Sequence, residues 1–261
     1  MRVLDLNCDV GESFGNFRFG ADEDIMPFLT SANVACGFHA GDPLVMERTV
    51  ALANRHQVSL GIHWGLPDLV GFGRRRIDVS PDELRALTLY QMGALQAFAS
   101  ASGARITHLV PHGALFWMLS DNVALADAVI DAIMSFNPEL ALFWPAPLKR
   151  HELYERAKVA NIKVVKEFAA DLQYGSDGSL ILERVKKPVE ISALEDRLHR
   201  AIVDGKVDTV DGATISFEFD AVLLHGDSPG AAKLAAACRK VFEAAGVVAG
   251  SPLRNRSSQQ N

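Results

Sequence analysis

The sequence is short of several things at once, and each shortage removes a class of protein. Three cysteines, Cys8, Cys36 and Cys238, make an odd number with no Cys-x-x-Cys spacing. That excludes a disulfide framework or a structural zinc module and fits a reducing, cytoplasmic compartment. Positive charge is in deficit, with 26 Lys+Arg against 32 Asp+Glu and a net charge of −6. Neither nucleic acid nor an anionic membrane is therefore expected as a main partner, since both are held by basic patches. No run approaches the ~20 apolar residues that span a bilayer. The N-terminus enters Val3-Leu4-Asp5-Leu6-Asn7 directly, without the basic, apolar and small-residue series of a secretory leader. No Gly-x-Gly-x-x-Gly follows the first strand and no Walker-type phosphate loop occurs, so a Rossmann or P-loop site has no fingerprint.

What remains is a chain of 261 residues, 49% hydrophobic and 22% charged, an ordinary globular balance. No repeat, low-complexity tract or linker divides it, which predicts one domain over 1–250 and a flexible polar tail over 251–261. Apolar runs at 3–8, 33–36, 58–63, 106–110, 140–144, 162–168 and 221–225 read as strands, with helical patterns between them. The clearest helix start is Ser80-Pro81-Asp82-Glu83, a capping box with proline at the first helical position. Leu84, Leu87, Gln91, Leu95 and Phe98 follow at helical spacing. Asp42-Pro43 starts an earlier helix in the same way, and Ser192-Ala193-Leu194-Glu195 reads as a second capping box. Further helices are expected over 121–135, up to about 160, and from Asp227-Ser228-Pro229 onward. Asp211-Gly212 between β-branched residues predicts a hairpin within 207–217. Seven strand–helix alternations argue an α/β domain with a largely parallel sheet, open and doubly wound or closed; a barrel-like sheet short of eight strands is favoured.

Polar residues gather where the apolar runs end. Asn7, Asp9 and Glu12 follow strand one, His39 and Asp42 strand two, His63 and Asp68 strand three, and His112 strand four. Glu167 and Asp171 follow strand six, His225 and Asp227 strand seven. In a parallel barrel these ends share one face, the face where such enzymes place their sites. Four of eight histidines converging with carboxylates point to a ligand site rather than to packing. His56, His151 and His199 read as solvated helix positions, and His108 as a strand residue with a hydrogen-bond partner. Cys8 and Cys36 read as small buried side chains.

Taken together, Asn7-Cys8-Asp9-Val10-Gly11-Glu12, Ala32 through Asp42, Gly71-Phe72-Gly73-Arg74-Arg75, Pro111-His112-Gly113-Ala114-Leu115 and His225 through Gly230 resemble the LamB/YcsF family over residues 3 to about 248. The resemblance implies a single-domain seven-stranded β/α barrel, an incomplete TIM-like barrel similar to the glycoside hydrolase/deacetylase superfamily. It implies ATP-dependent opening of 5-oxoproline or a related lactam, beside B and C type subunits of a 5-oxoprolinase-like complex. A lactam is an unactivated amide, and phosphorylation of its oxygen by ATP would let a positioned base deliver water. Asp9, His39, His63, His112, Asp171 and His225 are then the candidates for proton transfer and orientation. Asn7, Glu12, Asp68, Arg74, Tyr174 and Asp227 are the candidates for substrate contact.

The sequence departs from the family pattern at some of these places. Val110 and Phe116 stand where the family carries a lysine and a tyrosine. Trp64 and Leu66 alter the segment after His63, and Leu172 replaces an arginine. With Trp117, they point to a more apolar site rim and a less anionic ligand. Two further readings therefore stand beside the first. One is a metal-dependent amide hydrolase or deacetylase with Asp9, His39 and His63 holding a divalent ion. The other is a non-catalytic subunit that presents a ligand to its partners. Self-association is left open.

Overall fold

The computed structural model describes residues 1–146, 151–182 and 186–253. Seven parallel strands form a closed barrel: β1 (Val3–Val10), β2 (Ser31–Ala35), β3 (Ser59–Trp64), β4 (Ile106–Pro111), β5 (Ala141–Pro145), β6 (Val164–Ala169) and β7 (Ala221–His225). The seam joins the first strand to the last, with Asp5 opposite Ala221 and Asp9 opposite His225. The expected barrel, short of eight strands, is the one found. A two-residue strand, Val248–Ala249, adds to the start of β1 outside the ring.

The strands are buried along nearly their whole length because both faces are covered, as in parallel sheets generally. Side chains alternate between the faces. On β1, Leu4, Leu6, Cys8 and Val10 join the apolar core beneath the helices, while Asp5, Asn7 and Asp9 take the opposite face. There Asp5 accepts from the Ser31 hydroxyl, and Asn33 donates to both Asn7 and Asp9. His108 Nε2 donates to Asn33 Oδ1. A separate apolar cluster, Val110, Ala141, Phe143, Val165 and Ala221, fills the other side of the lumen.

The helices are α1 (Asp22–Ile25), α2 (Pro43–Arg55), α3 (Pro81–Ala101), α4 (Ala114–Asp121), α5 (Val123–Phe136), α6 (Glu152–Val159), α7 (Ile191–Asp204) and α8 (Ala231–Ala244). Both halves of the Ser80/Glu83 capping box are formed. Gln91 lies on the buried face of α3 for a polar reason: its amide accepts from Gly65 N–H and donates to Gly65 O, clamping the turn after β3. The hairpin is present as Lys206–Asp208 paired antiparallel with Thr214–Ser216.

Several local expectations are corrected. Ser192 caps nothing, because α7 already starts at Ile191 and leaves Ser192 inside its first turn. The last helix starts at Ala231, after Gly230 in the left-handed region, and not at Asp227. A helix at 114–121 was not expected, and it meets α5 at Asn122, whose side chain caps the second segment. His151 is not a solvated helix position: it precedes α6, and its Nδ1 accepts from Trp144 Nε1. The tail is tied down at its beginning, since Ser251 is buried and Lys163 donates to Pro252 O. Residues 254–261 lie outside the described residues.

Candidate active site

The C-terminal ends of β1 to β4 bring four side chains into one buried cluster. Glu12 follows Gly11 in the loop after β1, His39 sits in the loop after β2, His63 is near the end of β3, and His112 follows β4. One ligand-type atom from each lies within 4.8 Å of the others. The imidazoles of His39 and His112 stack with centroids 3.9 Å apart, and His63 meets both edge-on. Glu12 Oε1 stands 4.0 Å from His39 Nε2 and from His112 Nδ1. All four residues are at least 95% buried.

Backbone carbonyls fix the protons of two of these rings. A carbonyl only accepts, so His63 Nδ1 must carry the hydrogen that reaches Val110 O at 3.1 Å, and His112 Nε2 the one that reaches Phe72 O at 2.7 Å. The remaining nitrogens, His63 Nε2 and His112 Nδ1, are 2.9 Å apart, and in the neutral rings both carry lone pairs. Burial holds all three imidazoles below the usual histidine range; mutual repulsion and Arg74 push His39 and His112 further the same way. Among the described residues neither nitrogen of His39 has a hydrogen-bond partner, nor has Glu12 Oε2. Buried polar atoms left without partners cost roughly 1–3 kcal/mol each. Lone pairs converging without a donor are what a cation would satisfy. This His/Glu set is therefore compatible with a divalent metal.

The loop between β3 and α3 completes this wall. Asp68 accepts from Gly71 N–H and from Arg75, and Gly73 N–H bonds back to Asp68 O. Phe72 takes a φ of +54°, a costly conformation for a bulky residue, and Gly73 follows at +63°. The reversal aims Phe72 O at His112 and Gly73 O at Ala114 N–H. Only glycine fits at 73, where a Cβ would lie 2.7 Å from His39 Cβ.

The opposite rim comes from β6 and β7. His225 Nδ1 donates to Asp171 Oδ1 at 2.9 Å, while the Ser228 hydroxyl and His225 N–H donate to Oδ2. His225 and Lys186 hold the Asp171 carboxyl well below the usual carboxylate range despite its burial. Asp227 pairs with both Arg74 and Lys186, which link the two rims.

The sequence-predicted residues thus fall into three groups. Glu12, His39, His63 and His112 form the cluster, with Asp9 beside it, 3.4 Å from His63 Nε2. Asp171, His225, Asp227 and Arg74 form the second rim. Asn7, Asp68 and Tyr174 are not brought to the cluster. Asn7 is engaged in the lumen, Asp68 shapes the loop, and Tyr174 is fully buried against Phe168 with its hydroxyl accepting from Ala169 N–H. Asp42 serves as the N-cap of α2 and also accepts from Gly15 N–H. The four-residue group joins Glu12 and His112 to the expected His39 and His63, and Asp9 lies at its edge, with Oδ1 accepting from Asn33 and Oδ2 near His63 Nε2. Trp64 does not make the rim apolar, since it packs in the core outside the barrel, whereas Leu172 lines a cavity beside Asp171, Lys186 and Ser228. Burial raises the thiols of Cys8 and Cys36, which makes them poor nucleophiles. Lys186 was missed by sequence reasoning, and nothing in Lys186-Lys187-Pro188 distinguishes it from a solvated pair.

Comparison with known proteins agrees with this architecture. The model of the LamB/YcsF family matches residues 4–257. The A-type subunit of the 5-oxoprolinase from Acinetobacter baumannii is 45% identical over 90% of this chain and 92% of its own. Its counterpart from Geobacillus kaustophilus is 43% identical over 97% and 98%. The crystal structure of a lactam utilization protein from Thermus thermophilus superposes with a TM-score of 0.86 at 38% identity, covering 96% of this chain and 99% of that one. No described helix is long and apolar enough to cross a membrane.

Proposed function

The chain belongs to the LamB/YcsF family, and from that premise we propose that it opens a lactam ring with water as one subunit of a 5-oxoprolinase-type enzyme. The observation that carries this reading is the buried convergence of Glu12, His39, His63 and His112 opposite the His225–Asp171 pair. Hydrolysis of an amide needs an electrophilic carbonyl, a base for water and an acid for the departing nitrogen. The two rims divide these tasks.

Asp171 fixes His225 with its hydrogen on Nδ1, which leaves Nε2 free to take a proton from water. The same nitrogen then returns that proton to the ring nitrogen as the C–N bond breaks. Arg74, held by Asp227 and lying over the Phe72 ring, supplies positive charge for the substrate carboxylate. Glu12, His39, His63 and His112 would hold a divalent ion, and their imidazole-rich set suits zinc or a similar transition metal. Such an ion, when bound, polarises a carbonyl oxygen as a Lewis acid.

In the full reaction, ATP is consumed with the B and C type partner subunits, which activate the lactam oxygen. The absence of a Walker-type loop in this chain fits a phosphoryl donor bound at least partly by those partners. The test is an assay with the companion subunits, ATP and 5-oxoproline, read as glutamate formed, alongside metal analysis of the purified chain. ATP-dependent glutamate that disappears in His225→Ala supports the reading. Lactam opening without ATP, lost on chelation, would instead favour a metal-dependent amide hydrolase acting alone. No opening under either condition sinks the hydrolase assignment.

A further inference from the structure

Asp9 belongs to one layer of lumen residues that the strand register sets side by side. It is paired with His225 across the β1–β7 seam and with Asn33 across β1–β2. Asn33 is paired in turn with Gly61, and Gly61 with His108. Register partners leave the sheet on the same face. Gly61 puts no side chain between its neighbours, so His108 Nε2 reaches past it to Asn33 Oδ1 at 2.8 Å. The His108 ring is held from one side by stacking on Phe143.

The hydrogen bonds in this layer run in one direction. Asn33 Nδ2 donates to Asn7 Oδ1 at 2.8 Å and to Asp9 Oδ1 at 3.1 Å. That turns its Oδ1 to His108, and an amide oxygen only accepts. Burial pushes the His108 imidazole down to about 3, so the ring is neutral and its single hydrogen lies on Nε2. Nδ1 then carries a lone pair 2.9 Å from the Thr107 hydroxyl, whose one hydrogen is shared with Leu60 O. His108 therefore fixes which end of the Asn33 amide faces Asp9. A flipped amide would press an oxygen against the carboxylate. With Oδ1 claimed by Asn33, Asp9 Oδ2 is left facing His63 Nε2 at 3.4 Å. Buried chains of this kind add little net stability but hold a single geometry.

We infer, on the lactam reading above, that Asn33 and His108 are positioning residues for Asp9. They hold its carboxylate so that Oδ2 accepts one hydrogen of the attacking water, while His225, its register partner, takes the other as a proton. Asp9 thus stands between the His/Glu cluster and the His225–Asp171 pair, and the lumen chain sets its aim.

The test pairs kinetics with crystallography on the full-length chain. In the assay with companion subunits, ATP and 5-oxoproline, Asn33→Ala and His108→Leu should each lower kcat about 10²-fold with KM little changed. His108→Gln, whose amide N–H replaces the one on Nε2, should recover most of that loss. With Asp9→Asn already in place, neither substitution should lower kcat further, because both act through the one carboxylate. Losses that multiply in those double variants, or a loss confined to KM, overturn the positioning role. In crystals of Asn33→Ala and His108→Leu, Asp9 Oδ2 should leave its place beside His63 Nε2. A carboxylate that stays there overturns the inference whether or not the enzyme turns over. Should either variant fail to fold, the other reads the same link. Wild type that forms no glutamate counts against the lactam reading alone, and the crystal structures still decide the role of Asn33 and His108.

Discussion

His63 and His112 turn unprotonated nitrogens toward each other across 2.9 Å, because Val110 O and Phe72 O each hold the proton on the far side of the ring. Two lone pairs at that distance repel until a cation lies between them. Zinc should therefore stabilise the native chain, by about 2.7 kcal/mol at a hundredfold excess over its dissociation constant. Thermal melts with and without zinc should show the shift in wild type. His63→Ala/His112→Ala should melt at the same temperature in both, and a shift retained in that variant would count against the cluster as the metal site.

Asp171 orients His225 and is itself kept ionised by it. Asp171→Asn keeps the shape of the side chain and removes the anion, leaving the imidazole free to adopt the wrong tautomer. Turnover should fall by about 10²–10⁴-fold with little change in KM, by analogy with orienting carboxylates elsewhere. Steady-state kinetics on a variant of native circular dichroism would decide it; a change confined to KM would mean that Asp171 acts in binding instead.

Asp5, in the lumen, is raised from 3.8 to about 6, chiefly by burial. A carboxyl raised in the folded state binds its proton more tightly there than in the unfolded chain. It therefore lowers stability at pH 7, and that loss is recovered as pH falls from about 6 to about 4. A difference of roughly two units corresponds to about 2–3 kcal/mol. Urea unfolding at pH 7 and pH 5 should show the gap between Asp5→Asn and wild type shrinking on acidification by about half of that amount, roughly 1 kcal/mol, since pH 5 lies midway through the window. A pH-independent gap would refute the assignment.

Gly61 lies where His108 crosses the lumen to reach Asn33, and a Cβ at this position would stand 2.1 Å from His108 Nε2. Gly61→Ala should therefore cost about 3 kcal/mol or more, through displacement of the buried ring and loss of its hydrogen bond. Chemical denaturation gives the number. Gly93→Ala on α3, where nothing lies within 4 Å, should leave stability unchanged or slightly raised.

The barrel and the face that carries the buried His/Glu cluster were legible because apolar runs that break into polar residues mark strand ends whatever their neighbours. That alone placed His39, His63 and His112. Direction was harder to read. Trp64 follows His63 and so points to the opposite face of the sheet, into the outer core, which a count of substitutions near the site does not reveal. Asp68 and Tyr174 lie close to the site in sequence, yet backbone N–H groups claim them, a demand that appears only once the loops have their shapes. Lys186 reaches Asp227 from a segment with no periodic signal. The second capping box failed because Ser192 fits the motif while the backbone had already turned helical at Ile191.

The seam between β1 and β7 also sets an order of events in time. Every member of the His/Glu cluster lies within the first 112 residues, whereas His225 and Asp227 arrive with the strand that closes the ring. At translation speeds of about 5–20 residues per second, the first half of the site waits roughly ten seconds for the second. During that interval a nascent chain exposes an unpaired edge of β1 and four strong ligand groups without their opposing rim. Metal captured then would meet a half-barrel that still lacks its second rim, so loading and completion of the cleft are separated by the length of the chain itself.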